Sequence, residues 1–173
     1  DSIVLLYALN QLKKKLKLEL NAIHIHHGLS QNADEWQKFC LKECKNLSIP
    51  IVSERVNINK DLSMGIEAAA RKSRYKALED HRKEILVLGH HQNDQAETLL
   101  LQSMRGSGVK GLASMPATKY FGKTQMVRPL LDISRQQIMQ YAQQHHLHWV
   151  NDSSNLESQF DRNFIRHQVL PVL

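Results

Sequence analysis

Long apolar runs and a secretion leader are both missing from the sequence. Hydrophobic residues make up 42% of the 173 residues, yet none of the apolar runs approaches the roughly 18 residues that a membrane span needs. The first residues also lack a basic stretch followed by an apolar stretch and a small-residue cleavage site. These absences argue against a membrane partner and predict a cytoplasmic protein.

Cysteine is scarce, and its scarcity agrees with a cytoplasmic location. Cys40 and Cys44 are the only two cysteines in the chain. They lie four residues apart in a stretch predicted to be helical, where two thiols on one face are more often packed than bound to a metal. A zinc site needs four ligands, and the chain has no second cysteine pair. We therefore interpret the two cysteines as structural.

Acidic residues are outnumbered by basic ones. The chain has 23 Lys and Arg against 17 Asp and Glu, for a net charge of +6. The pI near 9.4 passes a loose threshold for a nucleic-acid partner. A merely basic soluble protein would show the same balance, so charge alone leaves both interpretations open.

Short apolar strands alternate with helical stretches along the chain. This alternation predicts one α/β domain over residues 1–173, a doubly wound, Rossmann-like parallel sheet with helices on both faces. Residues 85–89 are apolar throughout, which is typical of a central strand. The predicted helices are 1–15, 34–47, 65–82, 94–104, 134–146 and 160–170, and the predicted strands are 19–26, 50–56, 85–89 and 126–131, with a loop-rich segment at 105–125.

Two acids follow the third predicted strand, where ligands bind in such sheets. Asp94 and Glu97 are three residues apart, so they share one face of the next helix, directly after His90 and His91. Paired carboxylates suit an ammonium group or a metal ion. Acids in a first helical turn also complement the helix dipole, but that alternative explains one acid better than two acids behind two histidines. We favour a binding site.

Arginines on predicted helices are candidate phosphate ligands. Arg71 and Arg74 lie on one helix face, where a guanidinium could hold a phosphate through two hydrogen bonds. Taken alone, a solvated basic face or a pair between Arg71 and Glu67 explains them better. Arg162 and Arg166 are four apart on the last predicted helix, and a charged helix behind a cap is the plain alternative there.

The glycines at 106, 108 and 111 match the spacing G-x-G-x-x-G. The dinucleotide-binding motif needs a strand before it and a helix after it, whereas a helix is predicted before it here, so we exclude that function. Arg105 and Lys110 in the same loop suit close approach to phosphates or RNA, and a simple helix stop explains the glycines equally well.

His145, His146 and His148 lack matching acids or thiols and are interpreted as surface residues.

Taken together, these stretches resemble the tRNA(Ile)-lysidine synthase family within the PP-loop ATP pyrophosphatases. The resemblance runs through essentially the whole chain, and several motifs in one order are more specific than any single motif. The matching motifs are His-His-Gly-Leu-Ser at 26–30 with Asp34, Glu-Ala-Ala-Ala-Arg-x-x-Arg-Tyr at 67–75, Gly-His-His-x-x-Asp-Gln-Ala-Glu-Thr at 89–98, Arg-Gly-Ser-Gly-x-x-Gly-Leu at 105–112, Arg-Pro-Leu-Leu at 128–131, Asp-x-Ser-Asn at 152–155 and Asp-Arg-Asn-x-x-Arg at 161–166.

The front of the chain departs from the family pattern. The family's phosphate loop reads Ser-Gly-Gly-x-Asp-Ser, of which only Asp1 and Ser2 are present. We therefore expect a fragment of the catalytic domain that begins at the first turn of a helix, without the first strand and the glycines that would cradle pyrophosphate. Such a fragment should bind ATP poorly. Asn93 stands where an acid is common, which leaves Asp94 as the acid of that pair.

The resemblance implies ATP-dependent ligation of L-lysine to the wobble cytidine of a tRNA(Ile) with a CAU anticodon. The cytosine oxygen attacks the α-phosphate and releases pyrophosphate, and the lysine amine then expels AMP. The implied roles are Mg2+ binding by Asp1, ATP or phosphate binding by Asp1, Ser2, Arg71 and Arg74, catalysis by Arg71, His90, Asp94 and Arg162, lysine binding by His90, Asp94 and Glu97, and RNA contacts by Arg105, Lys110 and Arg166.

Two other functions stay open on sequence grounds. A related enzyme that thiolates a tRNA base would generally use a C-x-x-C pair or a catalytic cysteine, and Cys40 and Cys44 have a different spacing. A non-catalytic nucleotide-binding module would not need Arg71, Asp94 and Glu97 to converge on one crevice. The resemblance also implies a possible homodimer of the complete protein.

Overall fold

The computed structural model describes residues 1–28, 30–56, 66–81, 84–152 and 161–172. Predictions that fall on Gly65, Arg82 and residues 153–160 lie outside this described part, and so does the side chain of Arg71. Among the described residues, no helix combines the length and the apolar character required to cross a bilayer.

Helices and strands alternate in the chain as the hydrophobic pattern predicts. The α/β class with parallel strands is confirmed, and most predicted elements lie within a few residues of the observed ones. The elements are α1 (Ser2–Leu16), β1 (Ala22–His26), α2 (Ala33–Asn46), β2 (Ile51–Arg55), α3 (Ile66–Asp80), β3 (Ile85–Val87), α4 (Gln92–Met104), α5 (Val109–Leu112), β4 (Thr118–Phe121), β5 (Thr124–Val127), α6 (Arg135–Gln144) and α7 (Asp161–Phe164).

The described residues form two compact units. Unit 1 contains Asp1–Leu6 and Glu84–Leu173, and unit 2 contains Tyr7–Lys83. The single domain over residues 1–173 stays a prediction.

Unit 2 is built on two parallel strands. β1 and β2 pair in register from Ala22 with Ile51 to His26 with Arg55, and α2 packs against both strands. Cys44 is buried in α2, and Cys40 is half-buried and also free. Burial raises the pKa of both thiols, which keeps them protonated at neutral pH and agrees with a structural role.

Unit 1 contains a three-stranded sheet in the order β3-β5-β4, in which β3 and β5 are parallel and β4 is antiparallel to β5. In this sheet β5 rather than β3 is the middle strand, and Ile85 of β3 is 55% exposed. The prediction of a central strand at 85–89 is wrong for this sheet, because a continuous apolar run also fits an edge strand.

The predicted loop segment 105–125 contains regular structure. Phe121 pairs with Thr124, so Gly122 and Lys123 form a two-residue turn between β4 and β5. Gly122 has a φ of 60°, a conformation that glycine adopts without the strain a side chain would bring. The turn lacks the Asn-Gly or Asp-Gly pair that marks most such hairpins, which is why the sequence pattern did not predict it.

In the core of unit 1, α6 packs against the start of α1. Val4, Ile138 and Ala142 are buried together, with further apolar side chains packed around them. Ser134 caps α6 as predicted, because its hydroxyl accepts the N–H of Gln137 at 3.2 Å and the Gln137 side chain accepts the N–H of Ser134 at 2.9 Å. This packing sets the position of Asp1 at the beginning of α1.

The last predicted helix is irregular. After α7 the chain forms a π helix at Ile165–Val169 and a 3-10 turn at Leu170–Val172. Pro171 lacks an N–H group and does not continue a regular helix. Short π turns occur frequently at functional sites, and this one carries Arg166.

Candidate functional site

The carboxyl end of β3 meets the start of α1 at Gly89. A Cβ atom placed on Gly89 would lie 3.5 Å from the backbone of both Asp1 and Ser2. The strand end therefore lies in contact with the first residues of α1, and α4 begins three residues later at Gln92. Asp1 and the acids of α4 consequently lie at the same edge of the unit 1 sheet.

His91 lies between two carboxylates. Its imidazole is 1% exposed, and its Nε2 lies 3.4 Å from Oδ2 of Asp1 and 3.6 Å from Oδ2 of Asp94. Burial lowers the pKa of His91, although Asp94 opposes this shift. The imidazole is consequently neutral at neutral pH.

His90 was predicted as a site residue, and His91 was not. His90 is half-buried, whereas His91 is the residue before α4, and its backbone N–H donates to Oδ2 of Asp94 at 3.0 Å. The position immediately before a helix is where a side chain and the third helical residue share cap interactions. That position was the signal that could have identified His91.

Glu97 is the most deeply buried charged group at the site. Its carboxylate is 0% exposed. Arg166 donates from Nε to Oε1 at 2.6 Å and from Nη2 to Oε2 at 3.0 Å, and Arg162 donates from Nε to Oε2 at 3.1 Å. One buried carboxylate therefore holds two guanidiniums, one of them through a bidentate contact.

Further contacts tie the same arginines to α4. Arg162 donates from Nη2 to the hydroxyl of Thr98 at 2.9 Å, and that hydroxyl donates to the backbone carbonyl of Asp94 at 2.7 Å. Arg166 Nη2 lies 3.8 Å from Oδ1 of Asp94. The hydrogen bonds that Arg166 donates to Glu97 raise the pKa of Arg166, so this guanidinium stays charged.

The predicted shared face of Asp94 and Glu97 is confirmed, since both carboxylates approach Arg166. The structure adds that Glu97, predicted to bind lysine, already has two arginines as partners. Arg166, predicted to contact RNA, is directed to this carboxylate and is only 22% exposed. Both roles stay predictions.

Arg105 and Lys110 lie on the surface of unit 1. Arg105 Nη2 is 3.3 Å from Oδ2 of Asp161, with both side chains more than 60% exposed, and such surface pairs add little stability. Lys110 on α5 is exposed.

Gly106 follows the end of α4 with a φ of 65°, which is the usual glycine position after a helix. A helix therefore precedes the glycine motif, as predicted. The dinucleotide-binding motif needs a strand at that place, so it stays excluded.

A cavity of about 230 Å3 opens beside Asp1. Arg135 and Arg166 contribute charge to its wall, and Trp149 and residues of α6 contribute apolar surface. The backbone N–H of Arg135 donates to the side-chain oxygen of Asn93 at 2.9 Å, so Asn93 links the start of α4 to the start of α6. This contact gives a structural role to the residue that departs from the family pattern.

Arg74 lies in unit 2 and is half-buried. Its guanidinium carbon is 5.7 Å from the centre of the neighbouring Tyr75 ring, within the range of a cation–π contact. The predicted phosphate-binding roles of Arg71 and Arg74 stay predictions.

The acidic edge of unit 1 fits a magnesium ion only in part. Within the described ranges, no group of three or more His, Cys, Asp and Glu side chains is arranged to hold a metal by itself. Magnesium in nucleotide-dependent enzymes needs only one or two carboxylates together with substrate phosphates. Asp1, which lies beside His91 at the start of α1, supplies such a carboxylate.

The buried Glu97 cluster should contribute strongly to stability. Glu97→Leu leaves two largely buried guanidiniums without their carboxylate, and breaking a buried ion pair from one side costs about 3 kcal/mol or more. Calorimetry should show the unfolding transition of this domain lowered by about 6–12 °C. The matched variant Glu84→Leu changes an exposed acid and should leave the transition almost unchanged. An equal shift in both variants would contradict the assignment.

In unit 2 a second charged cluster lies where β1 and β2 end. His26 Nε2 and Arg55 Nη2 both contact Oδ1 of Asp34, at 2.9 and 2.7 Å. His26 is 3% exposed, whereas Asp34 and Arg55 are both more than 60% exposed. The cluster joins the start of α2 to the ends of both strands.

The Asp34 cluster predicts a pH-dependent stability. The hydrogen bond from His26 and the charge of Arg55 lower the pKa of Asp34 from 3.8. Its contribution should be complete well above pH 3.8 and should disappear as the pH falls through the lowered pKa. Urea unfolding of the natural protein and Asp34→Asn should therefore differ at neutral pH and converge in acid. A difference that is constant with pH would refute this assignment.

Fold and site together match a known class of nucleotide-dependent domains. The chain belongs to the PP-loop domain family, which it matches over residues 1–173. Membership in this family implies that the domain binds ATP.

Similar sequences are tRNA(Ile)-lysidine synthases. The chain is 46% identical over 175 residues to that of Coxiella burnetii, covering 100% of this chain and 39% of the relative. It is 49% identical over 175 residues to that of Actinobacillus pleuropneumoniae serotype 3, covering 100% of this chain and 40% of the relative. The chain thus spans about two fifths of the length of the curated relatives it matches.

A solved structure supports the fold. The U34-tRNA thiolase NcsA from Methanococcus maripaludis, with its [4Fe-4S] cluster, matches with a TM-score of 0.74 at 20% identity. The match covers 95% of this chain and 59% of that chain. At this identity the likeness supports the fold alone.

Proposed function

We propose that the chain is the catalytic domain of a tRNA(Ile)-lysidine synthase, which joins L-lysine to the wobble cytidine of tRNA(Ile) at the expense of ATP. The observation that carries the proposal is the acidic and arginine-rich edge of unit 1. There Asp94 and Glu97 lie close to Arg166, and Asp1 lies close to His91. The relatives with 44–49% identity support it.

In the first step, the oxygen of the cytosine ring attacks the α-phosphate of ATP, and pyrophosphate leaves. This transfer needs charge neutralisation and orientation more than covalent help from the protein. We assign Arg71 and Arg162 to the α-phosphate, and Ser2 and Arg74 to binding of the nucleotide phosphates.

In the second step, the ε-amine of lysine attacks the activated ring carbon, and AMP leaves. The free amine has a pKa near 10.4, so the bound ammonium must lose a proton before it attacks. We assign Asp94 and His90 to the lysine amines, with His90 or one carboxylate as the proton acceptor. Glu97 was also predicted to bind lysine. Because its carboxylate already has two arginine partners, Asp94 is the acid more available to an amine.

Magnesium is assigned to Asp1. A bound Mg2+ would neutralise phosphate charge, while Asp1 would orient the ion at the start of α1.

The RNA partner is proposed to be tRNA(Ile) with a CAU anticodon. Exposed Arg105 and Lys110 are suited to phosphate contacts, and Arg166 was predicted with them. We further propose a cytoplasmic location and a homodimer of the complete protein.

The nearest competing function is thiolation of a tRNA base after the same ATP-dependent activation. Cys40 and Cys44 lie in α2, and burial raises the pKa of both thiols, which disfavours the reactive thiolate. The deciding experiment supplies the purified complete protein with ATP, tRNA(Ile) and either lysine or a sulfur donor. We expect AMP formation together with modified RNA only with lysine. Modification that requires the sulfur donor would refute the proposal.

A further inference from the structure

We infer that Glu97 is a positioning residue for Arg162 and Arg166 rather than a ligand of the incoming lysine amine. This inference rests on the proposed function and assigns different roles to the two acids of α4. Asp94 receives the amine, whereas Glu97 holds Arg162, which acts on the nucleotide, together with Arg166.

The hydrogen bonds of Glu97 support this division. Both carboxylate oxygens already accept from guanidiniums, Oε1 from Arg166 and Oε2 from Arg166 and Arg162. The bidentate contact with Arg166 satisfies the planar geometry that guanidinium and carboxylate share. An ammonium group could reach Glu97 only by displacing an arginine.

Burial and charge point in the same direction. Glu97 is 0% exposed, whereas Asp94 is 15% exposed. Two positive guanidiniums surround the single negative charge of Glu97, so the local field repels a further cation. Asp94 lies 3.8 Å from its nearest arginine nitrogen, beyond hydrogen-bond distance, and therefore keeps acceptor capacity for an amine.

The location of the arginines explains why they need an anchor. Arg162 belongs to α7, which has four residues, and Arg166 belongs to the irregular π helix that follows. Such short segments do not hold long side chains by themselves. α4 has 13 residues, so Glu97 and its neighbour Thr98 provide a rigid support for Arg162.

The consequence is a kinetic separation of the two steps. If Glu97 acts through Arg162, its loss should slow adenylation without weakening lysine binding. If Glu97 binds the amine directly, its loss should raise the KM for lysine without slowing adenylation.

A double-mutant cycle in the complete protein distinguishes these outcomes. Glu97→Gln keeps the shape of the side chain and removes its charge, and Arg162→Gln removes the guanidinium. We expect Glu97→Gln to slow pyrophosphate release by roughly 10- to 100-fold and to leave the KM for lysine within about twofold. The double variant should be no slower than Arg162→Gln alone, because the two residues act as one unit.

Two further variants control the experiment. Glu84→Gln alters an exposed acid at the amino end of β3, opposite the site, and should leave both quantities unchanged. If Glu97→Gln does not fold, Glu97→Asp replaces it, because aspartate keeps the charge but is one methylene shorter. Glu97→Asp should again slow pyrophosphate release with an unchanged KM for lysine.

A tenfold rise in the KM for lysine with normal pyrophosphate release would overturn the inference. The inference would also be overturned if the double variant slowed pyrophosphate release by the product of the factors for Glu97→Gln and Arg162→Gln. A natural protein that incorporates no lysine at all would instead remove the proposed function itself, so the two failures are distinguishable.

Discussion

Asp94→Asn is expected to reduce lysine transfer by roughly 30-fold or more, because losing one member of a desolvated charge pair costs at least about 2 kcal/mol. Asparagine has no negative charge with which to hold the lysine ammonium. Adenylation should be largely spared, since the proposed nucleotide contacts come from Arg71 and Arg162. Pyrophosphate release should therefore continue while lysine incorporation becomes much slower.

The substitution is suited to this test because it preserves local structure. Asp94 accepts the backbone N–H of His91 at 3.0 Å, and the amide oxygen of asparagine can accept the same hydrogen bond. The exposed Asp132 provides the matched control, and Asp132→Asn should leave both steps normal. Normal lysine incorporation by Asp94→Asn would exclude Asp94 from the lysine site.

Arg71→Ala is expected to slow adenylation by roughly 100- to 1,000-fold, the usual effect of removing one preorganised donor from a transition state. Arg71 lies in the second turn of α3, which begins at Ile66, and the family resemblance assigns it to the α-phosphate. The measurement is the rate of pyrophosphate release with ATP and tRNA(Ile) at saturating concentrations.

Lys72→Ala is the control for Arg71→Ala. Lys72 is the next residue of the same helix and is exposed, so its loss removes one positive charge without removing the proposed contact. Arg71→Lys should recover little activity, because an ammonium group does not reproduce the planar, forked contact of a guanidinium. Unchanged pyrophosphate release in Arg71→Ala would refute its catalytic role.

The regular elements could be predicted because their signals are local. Ser134 and Gln137 form a cap motif within four residues, and the structure contains both of its hydrogen bonds. The hairpin of β4 and β5 was missed because its turn, Gly122-Lys123, lacks the usual residue pair. The π turn after Phe164 was missed because the residue pattern there is also compatible with an ordinary helix.

The site was predictable only in part, for a different reason. The shared face of Asp94 and Glu97 follows from helical spacing, and it was predicted. The contacts from Glu97 to Arg162 and Arg166 join residues 65 and 69 positions apart, and such pairs depend on tertiary packing. The same limit explains His91, since two adjacent histidines differ in burial only once α4 is packed in place.

The most direct test of the proposed function is incorporation of radiolabelled lysine into tRNA(Ile) by the complete protein, with ATP omitted as the control. We expect label in the RNA only when ATP is present, with AMP and pyrophosphate formed in proportion to the lysine that is joined. RNA that stays unlabelled with ATP, or becomes labelled without it, would contradict the proposal that this domain uses ATP to join lysine to cytidine.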